Sequence, residues 1–163
     1  MPNPTGFSRY QIALHWIVAL LIGFQLIFGE GMGPAFRALM QSGVAGTSTV
    51  VWLHLGAGVL VLAFALWRLA LRRSQGVPVA PIGDSALQRR LAQITHGLLY
   101  ALMLAAPLTG LLAWFGANDA AADLHKLMKP ALIVLIALHV GAALYHQFVM
   151  KDGLIRRMMV AAK

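Results

Sequence analysis

The sequence has no cysteine, and only five carboxylates stand against thirteen lysines and arginines in its 163 residues. Without thiols it forms no disulfide framework, no thiolate zinc site and no cysteine-ligated iron–sulfur cluster. It also lacks a C-x-x-C-H attachment motif, so any haem would be held non-covalently. Charge of either sign is scarce: 11% of residues are charged, 60% are hydrophobic and mean hydropathy is +0.75, far from the balance of a soluble domain. No internal repeat is long enough to suggest duplication, and the length fits one domain over 1–163.

What is present is four apolar runs, at about 10–28, 50–71, 91–114 and 124–150, each near the ~20 residues that cross a hydrocarbon core. They should be helices, because a lone strand in lipid leaves its backbone unpaired. The expected fold is all-α, an integral membrane four-helix bundle, with the lipid bilayer as its first partner. The first run follows a basic residue, Arg9, but it is longer than a signal-peptide core and Glu30-Gly-Met-Gly offers no A-x-A cleavage site, so it reads as a retained helix.

The net charge of +8 would suit nucleic acid, but its distribution argues for topology instead. Arg9, Arg68, Arg72, Arg73, Arg89, Arg90, Lys151, Arg156, Arg157 and Lys163, ten of the thirteen basic residues, lie near the N-terminus, between helices two and three, or near the C-terminus. Those segments share one side of a four-helix protein. The positive-inside rule makes that side, with both termini, cytoplasmic, and no nucleic-acid partner is expected.

Between the runs, the outer loop at about 29–49 is rich in Gly and Ser and carries a short amphipathic segment near 34–40. The inner loop contains Gly76-Val-Pro78 and Ala80-Pro81-Ile-Gly83, which are turn signals, and Asp84 or Ser85 is placed to cap a short helical approach to helix three. The connection at 115–122 is short, which makes helices three and four antiparallel neighbours. Pro107 and Pro130 should bend the helices that contain them. Trp16, Trp52, Trp67 and Trp114 lie toward helix ends, as in an interfacial aromatic belt.

All six histidines, His15, His54, His96, His125, His139 and His146, are inside or at the end of an apolar run. Polar residues in a membrane are expensive and tend to be functional. Fourteen residues separate His125 from His139, an advance of about four turns less ~40°, so both share a face ~21 Å apart in height. His146, seven residues on, joins that face ~10 Å lower. A proton relay usually mixes in carboxylates, whereas Glu30, Asp84, Asp119, Asp123 and Asp152 sit in loops or at helix ends. Zinc needs ligands within a few ångströms of one another, not ~20 Å apart. Two bis-histidine haems stacked across the bilayer fit, each iron taking one imidazole from each of two facing helices. Depth pairs His54 with His125 near the outer surface. His15, on the inner side of helix one, needs a partner lower on helix four, and geometry alone leaves His139 and His146 both open.

The segments YQIALHWIVALL, VWLHLGAGVLVLAFALWRL, ITHGLLYALMLAAPLTGLL and LHVGAALYHQFVMKDGLIRRM resemble the bacterial cytochrome b561 family in the expected order over nearly the whole chain. That family is a four-helix inner-membrane protein with two haem b groups, related to the cytochrome b subunits of formate dehydrogenases and nickel–iron hydrogenases. The resemblance implies His54 and His125 as ligands of the outer haem and His15 and His139 of the inner one, all four as axial ligands of iron. It implies a multi-pass protein of the bacterial inner membrane. His96 and His146 are then left for contacts with haem propionates or with a quinone, Tyr100, Arg72 and Arg73 being weaker candidates for the same region.

Some bacterial members of the family are superoxide oxidases, which pass an electron from periplasmic superoxide to ubiquinone. The resemblance therefore implies an oxidoreductase whose donor is superoxide and whose acceptor is the membrane quinone pool. Arg37, Lys126 and Lys129 are the outer basic residues, two of them beside His125, and are the candidates for drawing in a small anion. A second reading is a membrane anchor and electron conduit for a peripheral dehydrogenase or hydrogenase subunit. A third, a haem-free transporter or pore, predicts no b-type absorption.

Overall fold

The structure is a computed structural model that describes residues 4, 6–44, 48–81 and 83–162; Lys163, counted above with the inner basic residues, lies outside them. Regular structure among the described residues is entirely helical: α1 (Arg9–Phe28), α2 (Met32–Ser42), α3 (Thr49–Gln75), α4 (Ala86–Phe115) and α5 (Asp119–Tyr145). α1, α3, α4 and α5 are long and apolar enough to cross a bilayer.

Side-chain caps begin each of them. Ser8 and Gln11 form a capping box at α1, with Gln11 N–H donating to Ser8 Oγ at 3.3 Å and Ser8 N–H to Gln11 Oε1 at 3.0 Å. Ser85 and Gln88 repeat the device at α4, while Ser48 caps α3 and Asn118 caps α5. Ser85 is thus the cap, and α4 runs unbroken from Ala86 with no separate helical approach. Both Pro107 and Pro130 lie inside continuous helices. α3 extends four residues beyond the apolar run ending at Leu71, and α5 begins five residues before Leu124. These extra turns carry the polar ends of each helix, which hydropathy does not register.

Close packing links α1 to α3, α3 to α4, and α4 to α5. The central cluster of Val18, Val61, Ala65 and Met103 joins the first three of these helices, with Phe64 and Tyr100 against it. At the outer end α2 lies over α3 and α4, Met32, Ala35, Phe36 and Leu39 packing on Val51, Leu55 and Trp114. The expected amphipathic segment is this helix, closed by Gly43 in the left-handed region (φ 69°), whose N–H reaches Leu39 O at 2.9 Å. Trp114 is accordingly buried instead of belonging to an aromatic belt, because α2 covers it.

At the other end Ala162 N–H donates to Phe7 O at 3.1 Å, Gln11 Nε2 to Gly76 O at 3.0 Å, and Arg157 Nη1 to Val79 O at 2.8 Å. The N-terminal segment, the α3–α4 connection and the C-terminal segment therefore meet at one end, called inner below.

Candidate functional site

α5 carries His125 and His139 on one face, and that face looks toward two different helices at two heights. The His125 ring lies 6.0 Å from that of His54 on α3, centroid to centroid, with the planes at 82°. The His139 ring lies 6.1 Å from that of His15 on α1, at 59°. His96 on α4 stands 5.1 Å from His139. His146 is elsewhere, at the inner end of α5 with Asp152 and Asp84. The structure thus brings together the two pairs expected from the sequence, puts His96 beside the inner pair, and does not bring His146 to it.

These separations suit an iron between each pair. A metal–imidazole bond of about 2.0 Å and about 1.1 Å from nitrogen to ring centre, taken on both sides, sets opposed ring centroids about 6 Å apart. The surroundings fit in other ways. Ala106 O lies 2.8 Å from His125 Nδ1 and can only accept, so Nδ1 carries the proton and Nε2 keeps its lone pair for a metal. The close seat of this ring on α4 needs Gly110, where an added Cβ would stand 3.1 Å from His125 Cε1. His54 Nδ1 is buried with no hydrogen-bond partner, as are Nε and Nη1 of Arg68.

Arg68 is a residue that sequence reasoning passed over by grouping it with the topology arginines. Its guanidinium lies 5.9 Å over the Tyr100 ring, and its charge bears on His15, His96 and His139. An arginine one turn before Arg72, still inside an apolar run, was the available signal, since a buried cation in a membrane asks for an anionic partner. A haem propionate is such an anion. Gln25 was also missed: its Nε2 donates to His54 O at 2.8 Å, tying α1 to α3 beside the outer pair.

The outer cations are less free than their positions suggest. Lys126 Nζ is 3.0 Å from Asp123 Oδ1, and Lys129 Nζ is 3.0 Å from Glu30 Oε1, both at the surface. Arg37 forms no ion pair among the described residues. Outside the membrane spans, burial would push the Asp152 carboxyl up. The hydrogen bond from His146, that from Leu154 N–H and the charges of His146 and Arg157 outweigh it and hold the group below its ordinary value.

Residues 6–160 match the model of the family described as prokaryotic cytochrome b561. Among curated proteins, the chain is 40% identical over 162 residues to cytochrome b562 of Cereibacter sphaeroides, covering 98% of each chain. It is 28% identical to cytochrome b561 homolog 1 of Escherichia coli, covering 96% of this chain and 98% of that one. It is also 28% identical to the probable superoxide oxidase CybB of Yersinia pestis, covering 94% and 95% respectively.

Proposed function

The chain belongs to the prokaryotic cytochrome b561 family of haem b membrane electron carriers, and on that premise we propose that it moves electrons from superoxide at its outer end to ubiquinone at its inner end. The observation that carries this reading is the pair of facing imidazole couples at 6.0 and 6.1 Å, one near each end of the bundle. Two bound haem b groups would supply one-electron chemistry at each level. Two superoxide anions then give two molecules of dioxygen and two electrons, which with two protons convert ubiquinone to ubiquinol.

His54 and His125 would hold the outer haem, and His15 and His139 the inner one. Ala106 O holds His125 in the tautomer that leaves Nε2 available. Arg68, whose Nε and Nη1 are buried without a partner, would pair with a propionate of the inner haem. His96, beside His139, is placed to hydrogen-bond a quinone carbonyl and hand on a proton. The inner end faces the cytoplasm of a bacterial inner membrane, in keeping with its arginines.

The outer surface favours a second reading in one respect. Both lysines beside His125 are offset by carboxylates, which suits docking of a peripheral redox subunit better than attraction of an anion. The deciding experiment supplies purified, haem-loaded chain with enzymatically generated superoxide and a soluble ubiquinone, and follows quinol formation with and without superoxide dismutase. Dismutase-sensitive quinol is expected. No quinol from a preparation whose haem remains reducible by dithionite would refute the superoxide reading and leave the conduit.

A further inference from the structure

The inner end holds a second cluster of ligand-type side chains that electron transfer does not use. Asp84 precedes α4, His146 ends α5, and Asp152 lies in the segment that follows; their ligand atoms all lie within 4.8 Å of one another. His146 Nδ1 is 2.5 Å from Asp152 Oδ2 and 3.9 Å from Asp84 Oδ1. The side chains of His146, Asp152 and Asp84 are 11%, 12% and 7% exposed. Asp152 Oδ1 accepts from Leu154 N–H at 2.9 Å, but Asp84 Oδ1 is buried with no hydrogen-bond partner.

The backbone is shaped to make this contact. α5 ends in a π-helical turn, His146–Met150, and Lys151 follows in the left-handed region at φ 54°. Together they turn the chain back so that Asp152 N–H meets His146 O at 3.4 Å. The charge does not balance, since two carboxylates face one imidazole and an excess of negative charge remains even when His146 is protonated. Among the described residues no lysine or arginine forms an ion pair with Asp84 or Asp152. Arg157, whose charge acts on Asp152, places Nη1 on Val79 O at 2.8 Å. A buried, unpartnered carboxylate oxygen aimed at an imidazole and a second carboxylate lacks a cation.

We propose that Asp84, His146 and Asp152 form a binding site for a divalent transition-metal ion, for which zinc is the probe. One imidazole nitrogen and two carboxylate oxygens belong to the zinc repertoire, and a water completes four ligands. Tetrahedral ligands about 2.0–2.1 Å from zinc lie about 3.3 Å from one another. The ion therefore replaces the proton between Nδ1 and Oδ2, which move apart, while Asp84 Oδ1 closes in. A neutral imidazole then carries its proton on Nε2, the other tautomer, and leaves the Nδ1 lone pair to the ion. Calcium, which takes six to eight oxygens, and magnesium, which retains its waters, suit the site poorly. The bound ion would clamp the α3–α4 connection, which carries Asp84, to the turn that follows α5, which carries His146 and Asp152.

The test uses the haem-loaded protein in detergent, stripped with EDTA, freed of the chelator and titrated with zinc chloride against a fluorescent zinc indicator. The haem content is measured first so that no axial histidine is available to zinc. One zinc per chain is expected, with no competition from millimolar magnesium. Asp84→Asn and Asp152→Asn keep the side-chain shape and should each weaken binding at least about tenfold with the haem spectrum retained. Absence of a saturable site in wild type, or wild-type affinity in either variant, would overturn the proposal.

Discussion

Replacing Gly110 by alanine should expel the outer haem and spare the inner one. An added Cβ stands 3.1 Å from His125 Cε1 and 3.3 Å from Nδ1, nearer than the 3.4–4 Å of ordinary contact. The ring has little room to retreat: its Nδ1 is held 2.8 Å from Ala106 O, and it faces His54 at 6.0 Å across the position proposed for the iron. Overpacking of this kind costs about 1–3 kcal/mol, and a lost hydrogen bond adds about 0.5–1.5 kcal/mol. Alanine returns about 0.5–1 kcal/mol as a better helix former than glycine. A net loss of about 1–3 kcal/mol falls on the outer site and weakens haem affinity there roughly 5- to 150-fold. The assay is haem per protein by pyridine haemochrome, with transfer of haem to excess apomyoglobin followed in time. One fast-leaving haem and one unchanged haem are expected. Two haems leaving at wild-type rates, or both leaving faster together, would refute the seating of His125 against α4.

The inner assignment is checked by His139→Ala and His146→Ala in reduced-minus-oxidised spectra: the first should lose the inner haem and the second keep it, and the reverse would move the ligand to His146. Arg68→Gln should lower the midpoint potential of the inner haem by tens of millivolts, since a nearby cation favours the reduced form and about 1.4 kcal/mol corresponds to roughly 59 mV for one electron; the outer potential should stay put in a spectroelectrochemical titration. Glu30→Gln frees Lys129 from its 3.0 Å partner and should raise the rate with superoxide about twofold at low ionic strength, an effect that vanishes with added salt. In EDTA, Asp152 contributes stability that is present above its unfolded value of 3.8 and lost as pH falls through its lower folded value. Hydrogen exchange at Leu154 N–H, which donates to Asp152, should therefore lose protection only below that range, and in Asp152→Ala at every pH.

The bundle and the outer imidazole pair were legible from hydropathy, periodicity and depth, whereas the choice of His139 over His146 for the inner pair came with the family resemblance. A fourteen-residue step on a straight helix fixes a shared face, and a loop's polarity fixes which ends meet. Helix ends were less so: Ser85 and Asn118 are plain capping residues, yet the apolar run starts several residues later, and hydropathy follows the run. Trp114 was misplaced because its burial depends on α2, a tertiary contact. The Asp84–His146–Asp152 cluster could not be read at all. It requires a π-helical turn and a left-handed Lys151 to bring Asp152 back, and nothing in the local sequence announces either.

The distribution of burial explains why α5 bears two of the four proposed ligands. Buried hydrophobic residues come from α1, α3 and α4 along their membrane spans, whereas α5 contributes only Ala121 and Ala122, in its first turn. The membrane-crossing part of α5 packs mainly along α4, and among the described residues it contributes to none of the buried apolar clusters shared by α1, α3 and α4. What faces those helices instead is His125 and His139. In lipid no hydrophobic force presses one helix on another, so a seam is held only by contacts specific to it. Bonds from two irons, one at each height, would supply those contacts, and they would fix the rotation of α5 as well as its position. A histidine stripe on a helix with little packing of its own is thus consistent on both counts: the ligands hold the cofactors, and the cofactors complete the bundle.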